Sequence, residues 1–168
     1  MSNGVPEPPR AGLIVGISLA VLFVLIVITA VPTIGILAAI AIPNFIVMQL
    51  KAKRAELPSN SDAIRVGELA YYAAFDQYVG CGDEMSARRV VGKELRDPAS
   101  DPAMPCFRES IGWQPDGKVR GAYWVTVSAD GQDFEVYGVA DVDGDGIYAQ
   151  YVATRDEPVR MVSYEHNY

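Results

Sequence analysis

Histidine is almost missing from this 168-residue chain; the one copy, His166, lies near the C-terminus. No second imidazole exists to complete a metal pair. No Gly-x-Ser-x-Gly, Walker or dinucleotide-binding motif occurs, and nothing places two acids across a cleft. The chain is therefore expected not to be an enzyme. Positive charge is scarce as well: 14 lysines and arginines face 21 aspartates and glutamates, giving a net charge of -7. Nearly all of that acid follows Lys51, so no nucleic-acid partner is expected. Cysteine occurs only twice, at Cys81 and Cys106. An even count fits one disulfide in an exported domain; two reduced thiols in a cytosolic domain are the alternative.

The longest absence is of charge of either sign. No acidic or basic residue stands between Arg10 and Lys51. As one helix that run would be ~60 Å long, roughly twice the about 30 Å hydrocarbon core of a bilayer. Before it, Met1 to Arg10 is polar and proline-rich (Pro6, Pro8, Pro9) and reads as a disordered tail, closing a first segment over 1–12. The tail is too polar and short for a full secretory signal. Leu13 to Val31 alone suffices for one crossing. Pro32 then separates two apolar halves. A proline kinks a helix, so a hairpin bending at Pro32-Thr33-Ile34-Gly35 is an alternative to one span. It would leave Lys51, Lys53 and Arg54 on the cytoplasmic side.

The second half reads Ile34-Gly35-Ile36-Leu37-Ala38-Ala39-Ile40-Ala41-Ile42-Pro43-Asn44-Phe45, followed by Lys51-Ala52-Lys53-Arg54-Ala55-Glu56. It resembles the N-terminal helix of type IV pilins. The resemblance implies a transmembrane helix over 13–50 that anchors the subunit and packs in a filament core. Gly35, Ala38, Ala39, Pro43 and Phe45 would form the packing motif, small residues allowing close approach in lipid. Filling an ordinary membrane span is the plainer role for the same residues. The implied partners are the membrane and either copies of the chain or other pilin-like subunits. The implied location is the inner membrane, single-pass, with the domain in the periplasm or on a surface filament.

At the processing site the chain departs from that family. Counting back from Gly35 and Pro43, the peptidase cut falls between Val21 and Leu22, where the family has Gly before the cut. Ile26 replaces the glutamate that pilins carry shortly after it. In the family that carboxylate compensates a new terminal amine in apolar surroundings, where a lone charge is expensive. An uncut chain creates no amine and needs no carboxylate. An uncleaved, permanently anchored pilin relative is the resulting expectation. A cut after Gly12 is the other option, and it would put Ile17 at the glutamate position.

Residues 51–168 read as an α+β domain. Asn60, Ser61 and Asp62 offer helix-capping chemistry after Pro58. Helical spacing follows over Ala63–Tyr78, with Ile64, Tyr71, Phe75 and Tyr78 on one side and Val66, Leu69, Ala70 and Ala73 beside them. Gly80 and Gly82 would end that helix. The stretch 81–118 contains Pro98, Pro102, Pro105 and Pro115 and reads as a loop with a short helix over Ser86–Leu95. An anchored ligand-binding or sensor module using this loop is the alternative function. Alternation over Arg120–Ser128, the Asp130-Gly131 turn, and runs at Phe134–Ala140, Ile147–Ala153 and Val159–Tyr164 give about four antiparallel strands. The expected fold class is α+β: a long N-terminal apolar helix extending into a domain packed on a four-stranded antiparallel sheet.

The sharpest chemical motif is Asp141-Val142-Asp143-Gly144-Asp145-Gly146. Asp141, Asp143 and Asp145 at alternate positions can converge on calcium, and the glycines permit the turn. An EF-hand would carry a bidentate Glu at its twelfth position, where Val152 stands. A metal-free Asp/Gly turn is the other reading. Pilin relatives carry similar turns.

Overall fold

A computed structural model describes residues 10–168. The chain falls into two compact units that divide between Ile46 and Val47. Of the tail expected over 1–12, residues 1–9 lie outside the described residues, and Arg10 to Gly12 are corrected to helix.

Helix α1, Arg10–Arg54, runs without interruption through Pro32 and Pro43. The hairpin alternative is thereby corrected: Pro32 and Gly35 are helical, and no reversal occurs there. Three hydroxyls in this segment bond back to the helix's own carbonyls, as an apolar solvent favours. Ser18 donates to the Ile14 carbonyl at 3.0 Å, Thr29 to that of Leu25 at 2.9 Å, and Thr33 to that of Thr29 at 2.7 Å. Among the described residues this is the one helical stretch long and apolar enough to cross a membrane.

Helix α2, Glu56–Phe75, follows after a break at Ala55. Pro58 explains the break, because it has no N–H for the Arg54 carbonyl and is tolerated only in a first turn. The capping role expected of Asn60, Ser61 and Asp62 is therefore wrong: all three are helix interior. Leu57, Ser61, Ile64 and Glu68 form the buried face. The expected side of Ile64, Tyr71, Phe75 and Tyr78 is only partly right as a core face, since Phe75 is 61% exposed and lies against Tyr71. The helix also stops before the glycines, at Asp76, in a left-handed conformation (φ 58°) with its N–H on the Tyr72 carbonyl.

Four strands form an antiparallel meander in chain order: β1 Ala122–Val127, β2 Phe134–Ala140, β3 Ala149–Thr154 and β4 Arg160–Met161. The fold is α+β, as the residue pattern indicates. Helix α2 packs on β2 and β3. Gly138 permits this close approach, because a Cβ there would lie 2.6 Å from the Ser61 hydroxyl and 3.2 Å from the Tyr123 ring. The opposite face of the sheet is covered by α3, Glu84–Val90, over Trp124, which stacks on Tyr137 at 4.8 Å. Asp83 caps α3 by accepting from the Ser86 amide at 2.9 Å. A 3-10 turn at Pro98–Ser100 and a further helix, α4 Met104–Ser110, lie in the stretch read as loop. Pro105 sits in the first turn of α4, where proline starts rather than breaks a helix.

Candidate functional site

In α1 the residues of the packing motif are presented outward. Gly35, Ala39, Pro43 and Phe45 are exposed and Ala38 is half-buried. A Cβ added at Gly35 would meet nothing within 4 Å. Glycine inside a helix costs about 1 kcal/mol relative to alanine, and no contact within the chain offsets that here. The large side chains around it are also bare, Ile36, Leu37 and Ile40 among them. Such a surface is stable only against lipid or other helices.

The end of α1 that belongs to the second unit is held by the C-terminal segment. Lys51 pairs with Glu165 at 2.6 Å, and this ammonium holds the Glu165 carboxyl below its ordinary range. Arg54 is buried, donates to the Asn167 carbonyl, and lies over the Tyr168 ring at 4.9 Å. Asn167 in turn donates to the Tyr148 carbonyl at 3.2 Å. Two of the three basic residues at the helix exit are thus engaged within the domain.

Asp141, Asp143 and Asp145 come together, each offering an oxygen within 4.8 Å of the others. Asp141 accepts from the Gly144 amide at 2.7 Å and the Gly146 amide at 3.1 Å; Asp145 accepts from the Ile147 amide at 2.7 Å. Gly144 and Gly146 adopt φ of 77° and 82°, which side chains rarely tolerate,. The Asp143 Oδ1 is buried without a partner. Burial raises the Asp143 pKa first, and the charge of Asp145 adds to it. An oxygen-only set with one buried, unpartnered carboxylate oxygen fits a hard divalent cation,. The amide bonds equally complete a turn that stands without one.

Cys81 and Cys106 are joined in a disulfide, 25 residues apart in sequence with Cα atoms 5.7 Å apart. The reduced-thiol alternative is set aside. Cys81 also pairs with Val125 at the edge of β1, so the bond fastens α4 to the sheet. The stretch 81–118 is consequently structured rather than loose. Its hollow, ≈ 230 Å³ and lined by Asp97, Met104, Arg108 and Gln114, is smaller than the roughly 300–1,000 Å³ of small-molecule sites.

Glu68 is a residue that the sequence reading passed over. It is completely buried. Its Oε2 accepts from the Val79 amide at 3.0 Å, while Oε1 has no partner. Burial pushes its pKa up to about 7 against the opposing effect of that amide. The available signal was its spacing, which continues the buried series Leu57, Ser61, Ile64.

Among the described residues the chain combines an exposed apolar N-terminal helix, long and apolar enough to cross a membrane, with a disulfide-bonded α+β domain. The chain is similar to a type IV major pilin: it is 32% identical over 109 residues to the type IV major pilin protein PilA of Myxococcus xanthus (strain DK1622). That match covers 65% of this chain and 37% of the PilA protein. No family model matches the chain, and no solved structure matches it.

Proposed function

We propose that the chain is a membrane-anchored structural subunit that acts by side-by-side packing of α1, in a pilin-like filament or in the membrane machinery that serves one. The carrying observation is Gly35, whose missing side chain serves no neighbour in its own chain. Its use lies in close contact with a second helix. The domain then faces the periplasm or lies on the filament, where an oxidising environment maintains the disulfide. A pilin homologue points to a structural and not a catalytic role.

Val21 and Ile26 favour a subunit that stays uncut at Val21–Leu22. Mass spectrometry of the membrane-extracted protein is expected to recover a peptide spanning that bond. Shearing of cells is expected to leave the protein in the membrane fraction. A mature start at Leu22 or Leu13, with protein in the sheared fraction, would replace the anchored subunit by a filament one. The ligand-binding alternative is supported less well, because the 81–118 hollow is small and shallow.

Calcium at Asp141, Asp143 and Asp145 is the second part of this reading, favoured by the buried, unpartnered carboxylate oxygen of Asp143. Extracellular calcium modules bind with Kd of roughly 0.1–1 mM, so 1 mM calcium would stabilise by about 0.4–1.4 kcal/mol. A rise in Tm of a few degrees, abolished in Asp143→Asn, is the expected result. An unchanged melting curve would end the proposal.

A further inference from the structure

Glu68 lies wholly inside the domain with one carboxylate oxygen unpartnered, a rare setting for an acid. Its other oxygen holds the amide of Val79. Val79 belongs to the short run 77–80 that leaves α2 and lies beside the outer edge of β1. Just after it the Cys81 and Val125 backbones bond in both directions, at 3.2 and 2.8 Å. Tyr78 bonds through its amide to the Gly131 carbonyl at 3.0 Å and packs its ring on Tyr72 and Phe134. The run is bounded by Asp76 in the left-handed region, at φ 58°, and by Cys81, which the disulfide holds to α4.

We propose that Glu68 is a proton-operated latch: protonated, it keeps residues 77–80 seated beside the β1 edge, and ionised, it lets them lift between Asp76 and the disulfide-held Cys81. A neutral carboxyl tolerates burial and still accepts from Val79. A carboxylate there has one oxygen without a donor from the protein, and a bare buried charge is relieved by opening. Besides Glu68, the titratable groups on the surrounding elements are Glu56, Asp62, Arg65, Tyr71 and Tyr72 on α2, Tyr78 in the run, Tyr123 on β1, Glu135 and Tyr137 on β2 and Tyr151 on β3. Arg65 is turned to the Thr154 and Arg155 carbonyls. The Tyr72 hydroxyl donates to Gln132, and Glu135 is engaged by Tyr137 on the exposed side. Burial and the Val79 amide set the titration of Glu68, with no contribution from a charged neighbour.

The direction follows from linkage. The seated value, about 7, lies above the ordinary 4.5. Below the lower value the seated state has its full advantage, which is lost as pH rises through the upper one. This latch involves residues 47–168 alone and does not depend on the packing role of α1.

The test is amide exchange of a peptide containing Tyr78–Gly80, in the full chain in detergent micelles, at pH 5 and pH 8 after correction for intrinsic exchange. Protection in the wild type is expected to fall on the order of 50-fold over that interval, while amides of β3 hold. Glu68→Gln should flatten the dependence, and Glu68→Met, also without a titrating group, serves if the Gln chain does not fold. Equal corrected protection of the wild type at the two pH values overturns the latch. So does a pH dependence that persists in either folded variant.

Discussion

Replacing Phe107 by alanine is expected to destabilise the domain by about 4 kcal/mol, as truncation of a fully enclosed aromatic does. Phe107 is completely buried on α4. Its ring meets Trp113 edge-on at 5.5 Å, and Trp113 meets Tyr123 in the same way at 5.4 Å. Its carbonyl also accepts from the Ile111 and Trp113 amides, both at 3.2 Å. Removal of the ring empties one end of that aromatic chain, and the disulfide next to it in sequence limits how far α4 can collapse into the void. The cost should be read as a fall in Tm on the order of 15 °C, followed by near-ultraviolet circular dichroism of the detergent-solubilised protein. Phe75→Ala is the paired control: its ring is 61% exposed, so a change within about 0.5 kcal/mol is expected. If both substitutions cost the same, the assignment of core and surface along these helices is wrong.

That contrast shows where the residue pattern was legible. The strands were visible because alternation and the Asp130-Gly131 turn act over a few neighbouring residues, and the meander joins strands consecutive in sequence. The apolar character of α1 was equally plain, since charge is absent from a continuous stretch. The inner face of α2 was less legible. Its spacing selects Leu57, Ser61, Ile64 and Glu68, a series half polar in composition, whereas an aromatic series looked the better core. Ser61 is inside because Gly138 leaves room for it. Glu68 is inside because Val79 supplies an amide. Both reasons lie far along the chain or beyond the helix. The clasp of Lys51 by Glu165 and of Arg54 by Tyr168 depends on partners more than a hundred residues away, and local spacing holds no trace of it. In the acidic turn, by contrast, ligand and scaffold are the same six residues, so Asp141, Asp143 and Asp145 could be grouped from sequence.

Loss of the Cys81–Cys106 bond is expected to cost about 3 kcal/mol, the chain-entropy value for a loop of this size. The closed loop spans 25 residues and contains α3, the 3-10 turn and the start of α4. Cys81→Ala with Cys106→Ala should therefore lower Tm by roughly 10 °C, and reductant should bring the wild type to the same value without moving the double variant. Because Cys106 adjoins Phe107, adding Phe107→Ala to the double variant should cost less than it does in the wild type: a freed α4 can relax into the cavity. Full additivity would show that the bond does not restrain α4. The same bond reports on the side of the membrane. Alkylation of intact cells before lysis should find both cysteines protected if the domain faces an oxidising compartment, and both labelled by a permeant reagent if it faces the cytoplasm. A labelled pair would contradict the periplasmic orientation proposed for the domain, even if the oxidised purified protein showed the expected thermal shift.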